Sequence, residues 1–333
     1  MGGVGLRVVW ILGGVMLLAP TACDGGPEGE LAGLEAPAGA DSPRAVEGNG
    51  AELNTFRLNT FRLNTFRLNT FRLNGDEGTD DYIEIIDIKL NGNHFAQEAW
   101  LEGSKLQILD DKGDLVGDGD VKHVRVLFEL TDAAQGKVKA GRTVALRTIA
   151  PLHPGSDVWL YRADVRDGDG AWEPLCVDAQ GAATEAILIG AGWDPATGAR
   201  VPYLDGMVTF ACRGAALAKC VEWGYRPWAA ASGVSLRDFH QACTRMVRAD
   251  YCGDGEAHTY NGTPIHVHDA LDVQGVDPNI DYEVEAEWGP DGAVCFNPGS
   301  ARQPEFAVGC ELPACGESFA AGGLIQSGKI VGP

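Results

Sequence analysis

From Tyr82 onward, short stretches of the chain alternate apolar and polar residues, the period of a strand with one buried face. Tyr82-Ile-Glu-Ile-Ile-Asp-Ile-Lys-Leu90 alternates in part and stops at Asn91-Gly92, a turn dipeptide. Residues 105–109, 121–128 and 143–149 follow between Asp/Gly turns, and residues 157–164 and 171–176 flank Asp167-Gly-Asp-Gly170 as a hairpin. Two segments break this rhythm. Residues 212–223 are Ala-rich and predict a helix stopped by Gly224 and Pro227. Ser235 then predicts the cap of a second helix, whose apolar stripe is Leu236, Phe239, Cys243, Met246 and Val247, with Asp238 three places after the cap. Strands return at residues 259–267, 282–288 and 293–296. The fold class expected is α+β and β-rich, with antiparallel strands, two helices and a disulfide-stapled C-terminal half.

The first 80 residues follow other rules. Arg7 precedes about a dozen apolar residues, the length of a signal-peptide core and too short to span a bilayer. Pro20-Thr-Ala-Cys23 then resembles a bacterial lipoprotein signal with Cys23 as the lipidated residue, although Pro20 stands where Leu is usual. Residues 1–22 therefore read as a signal peptide and 23–52, rich in Gly, Ala, Pro and acidic side chains, as a disordered linker. Leu53-Asn-Thr-Phe-Arg57 recurs at Leu58, Leu63 and Leu68 and ends as Leu73-Asn-Gly75. Its period is that of a pentapeptide β-helix, but Phe56, Phe61 and Phe66 occupy a position usually small, and four pentads build about one coil. Residues 53–75 are expected to act as a spacer, with a short β-helical cap as the alternative. A β-rich region at 76–150 and a Cys-rich domain at 151–325 complete the expected organisation.

The chain has 333 residues and a net charge of −21. That acidity argues against nucleic acid, because phosphate binding needs dense Lys and Arg. It allows divalent cations or basic partners and equally serves solubility. Of nine cysteines, Cys23 stands apart; Cys176, Cys212, Cys220, Cys243, Cys252, Cys295, Cys310 and Cys315 all follow residue 170. An even number in an exported chain predicts a disulfide framework, and the absence of a Cys-x-x-Cys pair weakens zinc-ribbon and thioredoxin-type readings. Cys310 and Cys315 are expected to pair locally, and Cys212, Cys220 and Cys243 to join each other or neighbouring strands.

Cys212-Arg213, Lys219-Cys-Val-Glu-Trp-Gly-Tyr-Arg-Pro-Trp228 and Ala242-Cys-Thr-Arg-Met-Val-Arg-Ala-Asp-Tyr-Cys-Gly-Asp-Gly255 together resemble the ADYC-domain proteins. The family's four residues stand here as Ala249, Asp250, Tyr251 and Cys252, and the likeness extends over roughly residues 155–320, taking in Pro174-Leu-Cys176 and Trp193-Asp194. The resemblance implies an exported, often lipid-anchored protein of myxobacterial type. It assigns no activity and no functional residues.

Candidate chemistry is sparse. Asp250 and Asp254 are a carboxylate pair that suits a cation or acid–base work; read structurally, Asp caps a turn, Gly253 and Gly255 end the helix, Tyr251 packs and Cys252 is a staple. A hairpin about Asn261-Gly262 places His258 and Tyr260 on the face of Ile265 and Val267, with His266 and His268 opposite. His266, His268 and Asp269 are weak metal candidates, against a plain solvent-facing strand side. Trp223-Gly-Tyr-Arg-Pro-Trp228 reads as an aromatic platform or, more simply, a buried corner in which Arg226 stacks on a ring. Asp110-Asp-Lys-Gly-Asp114 and Asp118-Gly-Asp120 lack the Gly of an EF-hand loop and read as hairpin tips. No nucleophile elbow, P-loop or dinucleotide fingerprint occurs, so no cofactor is expected. The sequence thus predicts a lipid-held envelope module that binds a surface protein or glycan or contributes structure. The rival is an extracellular hydrolase or metal-dependent enzyme using Asp250, Asp254, His266 and His268.

Overall fold

Antiparallel pairing organises the chain, as the alternating segments predict. The computed structural model describes residues 62–63, 71–72, 82–90, 94–116, 126–132, 137–167, 170–178, 180–194, 197–200 and 208–331. The expected signal peptide, Cys23, the linker, most of the repeat, and Asp118 and Asp120 lie outside the described residues.

Twelve strands form the larger sheet: β1 (Arg62–Leu63), β2 (Phe71–Arg72), β3 (Tyr82–Leu90), β4 (His94–Glu102), β5 (Lys105–Asp110), β6 (Leu115–Val116), β7 (Val126–Asp132), β8 (Lys137–Pro151), β9 (Trp159–Asp167), β10 (Glu173–Pro174), β11 (Ala186–Ile189) and β12 (Val208–Cys212). Their order is β2-β1-β12-β11-β9-β8-β7-β3-β4-β5-β6, with β10 on β9. Because β2 also pairs with β3, the path closes into a ring of eight strands. Two dipeptides of the five-residue repeat make that closure: Arg62 lies opposite Thr209 of β12, and Arg72 opposite Tyr82 of β3. Closure pairs two residues of β12 and two of β3, an outcome the repeat period does not announce.

The central strands are buried on both faces. Ala186 and Leu188 of β11 join Leu146, Tyr161, Ala163 and Phe210 in one core, while Ile187 and Ile189 face Leu160, Ala211 and the helices. Strict alternation is lost in such a strand, which reads as a continuous apolar run. The Asp110 tip is a turn closed on itself: Asp110 Oδ1 accepts the N–H groups of Lys112 and Asp114, both at 2.9 Å.

Helix α1 (Ala216–Glu222), the small hairpin β13 (Ala230–Ala231) and β14 (Val234–Ser235), and helix α2 (Arg237–Arg248) follow. Strands β15 (Ile265–Asp269), β16 (Tyr282–Gly289), β17 (Gly292–Phe296) and β18 (Ile325–Ile330) then form a second sheet of order β15-β18-β16-β17. The predicted stripe of α2 (Leu236, Phe239, Cys243, Met246 and Val247) is buried in one cluster with Ile265, Val267, Trp288 and Ile325. Each such side chain contributes about 1.5–3 kcal/mol by leaving water. Among the described residues no helix is long and apolar enough to cross a membrane.

Several local expectations are corrected. Cys212 ends β12, and α1 begins only at Ala216. Ser235 belongs to β14 and receives the Arg237 N–H at 3.3 Å, while Leu236 is the N-cap and supplies no side-chain bond. Ala249, with φ 51° and ψ 43°, ends α2 in the left-handed conformation, ahead of Gly253; an L-residue there costs about 1–2 kcal/mol. The Asn261-Gly262 turn forms, but β15 pairs with β18 from the far end of the chain instead of folding back on residues 258–260.

Four disulfides join Cys176–Cys212, Cys220–Cys243, Cys252–Cys310 and Cys295–Cys315. The second ties α1 to α2, and the first ties β12 to the turn after β10. Cys310 and Cys315 do not pair with each other. Each reaches back to the second half of the domain, Cys310 to the residue after the α2 turn and Cys315 to β17, so the segment between them is pinned at both ends.

Candidate functional site

The residues that follow α2 form a buried knot. Once Ala249 has turned the chain, Asp250 points back at the helix it has just left. Its Oδ2 receives Arg245 Nη1 at 2.5 Å, and both its oxygens lie 3.1 Å from the Gly255 N–H. Burial pushes the Asp250 carboxyl up, against the opposing pull of Arg245, Arg248 and the Gly255 N–H. Arg245 also donates to Thr197 O at 2.6 Å and Pro290 O at 3.2 Å, and Arg248 donates to Gly255 O. Burial brings Arg248 down to about 10, with Asp250 and Asp254 pulling the other way and Arg245 adding to the fall. Trp193, Gly198, Leu217, Thr244, Arg245, Arg248 and Asp250 line a recess too tight to hold a water molecule. Asp254 is exposed and takes the Glu256 N–H at 2.9 Å, a turn bond. The two aspartates therefore do not act as a pair.

Tyr251 faces the second sheet. Its hydroxyl donates to Glu285 Oε1 at 2.7 Å, and its ring lies 4.3 Å from Phe296 and 5.1 Å from Trp288, centroid to centroid. Glu285 in turn accepts Arg302 Nη2 at 2.5 Å, Arg302 Nε at 2.8 Å and Ser327 Oγ at 2.7 Å. Trp288 Nε1 donates to Ser327 Oγ at 2.8 Å. Burial pushes Glu285 up, but Arg302 and the hydrogen bonds outweigh it and hold the carboxyl below its usual range. Glu285, Arg302 and Ser327 belong to no motif in the sequence. Glu285 alone leaves a signal, in a strand, Val284-Glu-Ala-Glu-Trp288, that carries charges where a two-faced core needs apolar residues.

Gly253 and Gly292 let the knot close on the β16–β17 turn. A Cβ on Gly253 would lie 1.8 Å from Asp291 O, and one on Gly292 would lie 2.7 Å from Tyr251 O. The Ala293 N–H donates to Tyr251 O at 2.9 Å across this contact.

His266 and His268 share one face of β15, as the alternation predicts, whereas His258 lies outside any strand and the register expected to set its face does not form; all three are buried. His258 is buried beside Tyr251, with Nδ1 3.0 Å from Ala249 O. His266 stacks on Tyr282 with centroids 4.0 Å apart and planes 4° from parallel, and the His268 ring lies 5.6 Å from His266. The expected solvent-facing side is thus a covered one. Asp269 spends its oxygens on Tyr225 Oη, 2.9 Å, and on the N–H groups of Leu271, Val273 and Gln274. Among the described residues no group of three or more His, Cys, Asp and Glu is placed to hold a metal ion.

The aromatic corner is buried. Tyr225 and Trp223 sit in the core, and Arg226 Nη1 and Trp228 Nε1 both donate to Asp157, at 2.7 and 2.6 Å. Arg226 is held by this carboxylate; the expected ring stacking is replaced by an ion pair that ties the corner to the β8–β9 turn.

Three comparisons bear on these features. A family model described as ADYC domain matches residues 118–302, more than half of the chain and the whole of the knot. No curated protein matches, and no solved structure matches.

Proposed function

The chain belongs to the ADYC-domain family, and we propose that it is a non-catalytic module of the cell envelope, anchored by lipid on Cys23, that binds a surface partner or contributes structure. The observation that carries this reading is how the family's four residues are used. Ala249 turns the chain, Asp250 is held by Arg245 and the Gly255 N–H, Tyr251 by Glu285, and Cys252 by Cys310. A carboxylate, a phenol and a sulfur with these partners hold the chain in place; none is presented to a substrate. Four disulfides support an oxidising compartment. The lipid anchor rests on the sequence around Cys23.

Fractionation of cells expressing the full chain and Cys23→Ser tests the anchor. The full chain is expected with the membranes, extractable by detergent, and the variant in the soluble exported fraction. Equal release of both proteins would refute a lipid on Cys23.

A further inference from the structure

One irregular segment lies against the second sheet at His268, Glu287 and Gln326. Cys315 ties it to Cys295 of β17, residues 317–322 run through turns, and the chain re-enters the sheet at Ile325. Most of this strap is exposed, but Phe319 lies half-buried, edge-on to His268 with centroids 5.4 Å apart. Phe319 has φ 60°, a left-handed conformation that an aromatic residue keeps only when its surroundings impose it. Three contacts impose it. The Phe319 N–H donates to Glu287 Oε1 at 2.5 Å, Ser318 Oγ reaches Gln326 Oε1 at 3.4 Å, and Gly323 lies so close that a Cβ there would be 2.5 Å from Glu287 Cβ.

Beside the strap, His266 Nδ1, His268 Nδ1 and Glu287 Oε2 are buried with no hydrogen-bond partner among the described residues. His266 Nε2 accepts the Asp277 N–H at 3.1 Å, so its proton sits on Nδ1. Tyr282 crosses β18 to stack on His266 where Gly328 has no side chain; a Cβ there would lie 2.2 Å from Tyr282 Cδ2. Among the described residues the groups around the pair are few. β15 supplies the histidines, with Asp269 turned to Tyr225; β16 supplies Tyr282 and Glu287; β18 supplies uncharged Gln326 and Gly328, with Lys329 alternating to the other face. The loop before β16 supplies Asp277, and the strap's ionisable residue, Glu317, is exposed.

A proton added to His266 lands on Nε2 and ends the Asp277 bond. An imidazolium at His268 must either turn to the unpartnered Glu287 Oε2 or reach water, and Phe319 lies in the way of the water. Reaching water displaces Phe319 and loosens the strap, while loss of the Asp277 bond frees the loop before β16. We infer that residues 317–323 form an acid-released strap: protonation of the His266–His268 pair lifts it and bares the sheet face beneath, while the Cys295–Cys315 disulfide keeps its base attached. Burial supports the direction, since it holds His266 down at about 4, helped by His268 and opposed by Asp277, and lowers His268 against the pull of Asp269 and Glu287. The open state takes up protons near the ordinary histidine value, and each pKa unit between open and closed states favours opening about tenfold.

Hydrogen exchange on the full, oxidised protein at pH 7.5 and pH 5, corrected for intrinsic exchange rates, tests this. Peptides covering 316–324 are expected to lose protection about tenfold or more at pH 5 while α2 peptides hold theirs, and His268→Phe, which keeps a ring under Phe319, is expected to shrink that loss severalfold. His268→Gln gives the same readout should the phenylalanine variant fail to fold. Unchanged strap protection, an equal loss in α2, or an undiminished loss in the variants would overturn the inference.

Discussion

Arg302 and Glu285 form an ion pair sealed from water: Arg302 Nη2 lies 2.5 Å from Glu285 Oε2, and both side chains are 0% exposed. The pair fastens three pieces of chain, because Arg302 Nη1 also donates to Met246 O at the end of α2, and Glu285 also holds Tyr251 and Ser327. Removing one partner strands a charge in the core. Arg302→Met is expected to lower unfolding stability by about 3–5 kcal/mol, and adding Glu285→Leu to recover a large part of that loss. Urea unfolding of the three proteins checks it; a double variant as unstable as the single would contradict it.

The back-to-back glycines make a second prediction. Gly253 has φ 69° and faces the backbone oxygen of Asp291, which has no side-chain freedom with which to withdraw. Gly253→Ala should therefore cost about 2 kcal/mol or more, while Gly214→Ala, with positive φ but open space around it, should cost about 1 kcal/mol. Melting temperatures of the two variants give the comparison.

Cys220–Cys243 closes a loop with a sequence separation of 23, and Cys252–Cys310 one of 58. Replacing each pair by alanine is expected to cost about 3 and about 4 kcal/mol on loop entropy alone. Denaturant midpoints measured without reductant test the order; equal and negligible losses would show that these bridges do not constrain the unfolded chain.

His240 gives the fold a pH dependence of defined sign. Its Nε2 bonds Leu217 O at 3.1 Å, its Nδ1 is buried, and burial lowers the ring to about 4 from the ordinary 6.5, with Leu217 pulling it up and Arg200 down. The native state thus binds fewer protons than the unfolded chain. Stability is full above pH 6.5 and falls as the pH drops towards 4, by about 3 kcal/mol from this group. In His240→Phe the slope of stability against pH over that window should shrink by close to one proton; an unchanged slope would contradict it.

Much of this architecture is legible in the residues. The period-2 segments place β3, β5, β16 and β17 within a residue or two, and the Leu236–Val247 stripe marks the buried face of α2. The structural roles of Asp250, Tyr251 and Cys252 follow from helix-end chemistry and an oxidising compartment. Disulfide partners are not legible, because Cys310 meets Cys252 only after the chain has passed through β15, β16 and β17. The covering of His266 and His268 is hidden for the same reason: Phe319 and Tyr282, which shield them, are remote in sequence. Arg302 is invisible as a core residue until the topology brings Glu285 to it.

Intact mass of the protein extracted from the envelope, before and after reduction and alkylation, tests the central claim most directly. The expected result is a mature chain that begins at Cys23 with added acyl mass, and eight thiols that appear only on reduction. Thiols that react without reductant, or a mature chain that begins elsewhere and carries no lipid, would contradict it.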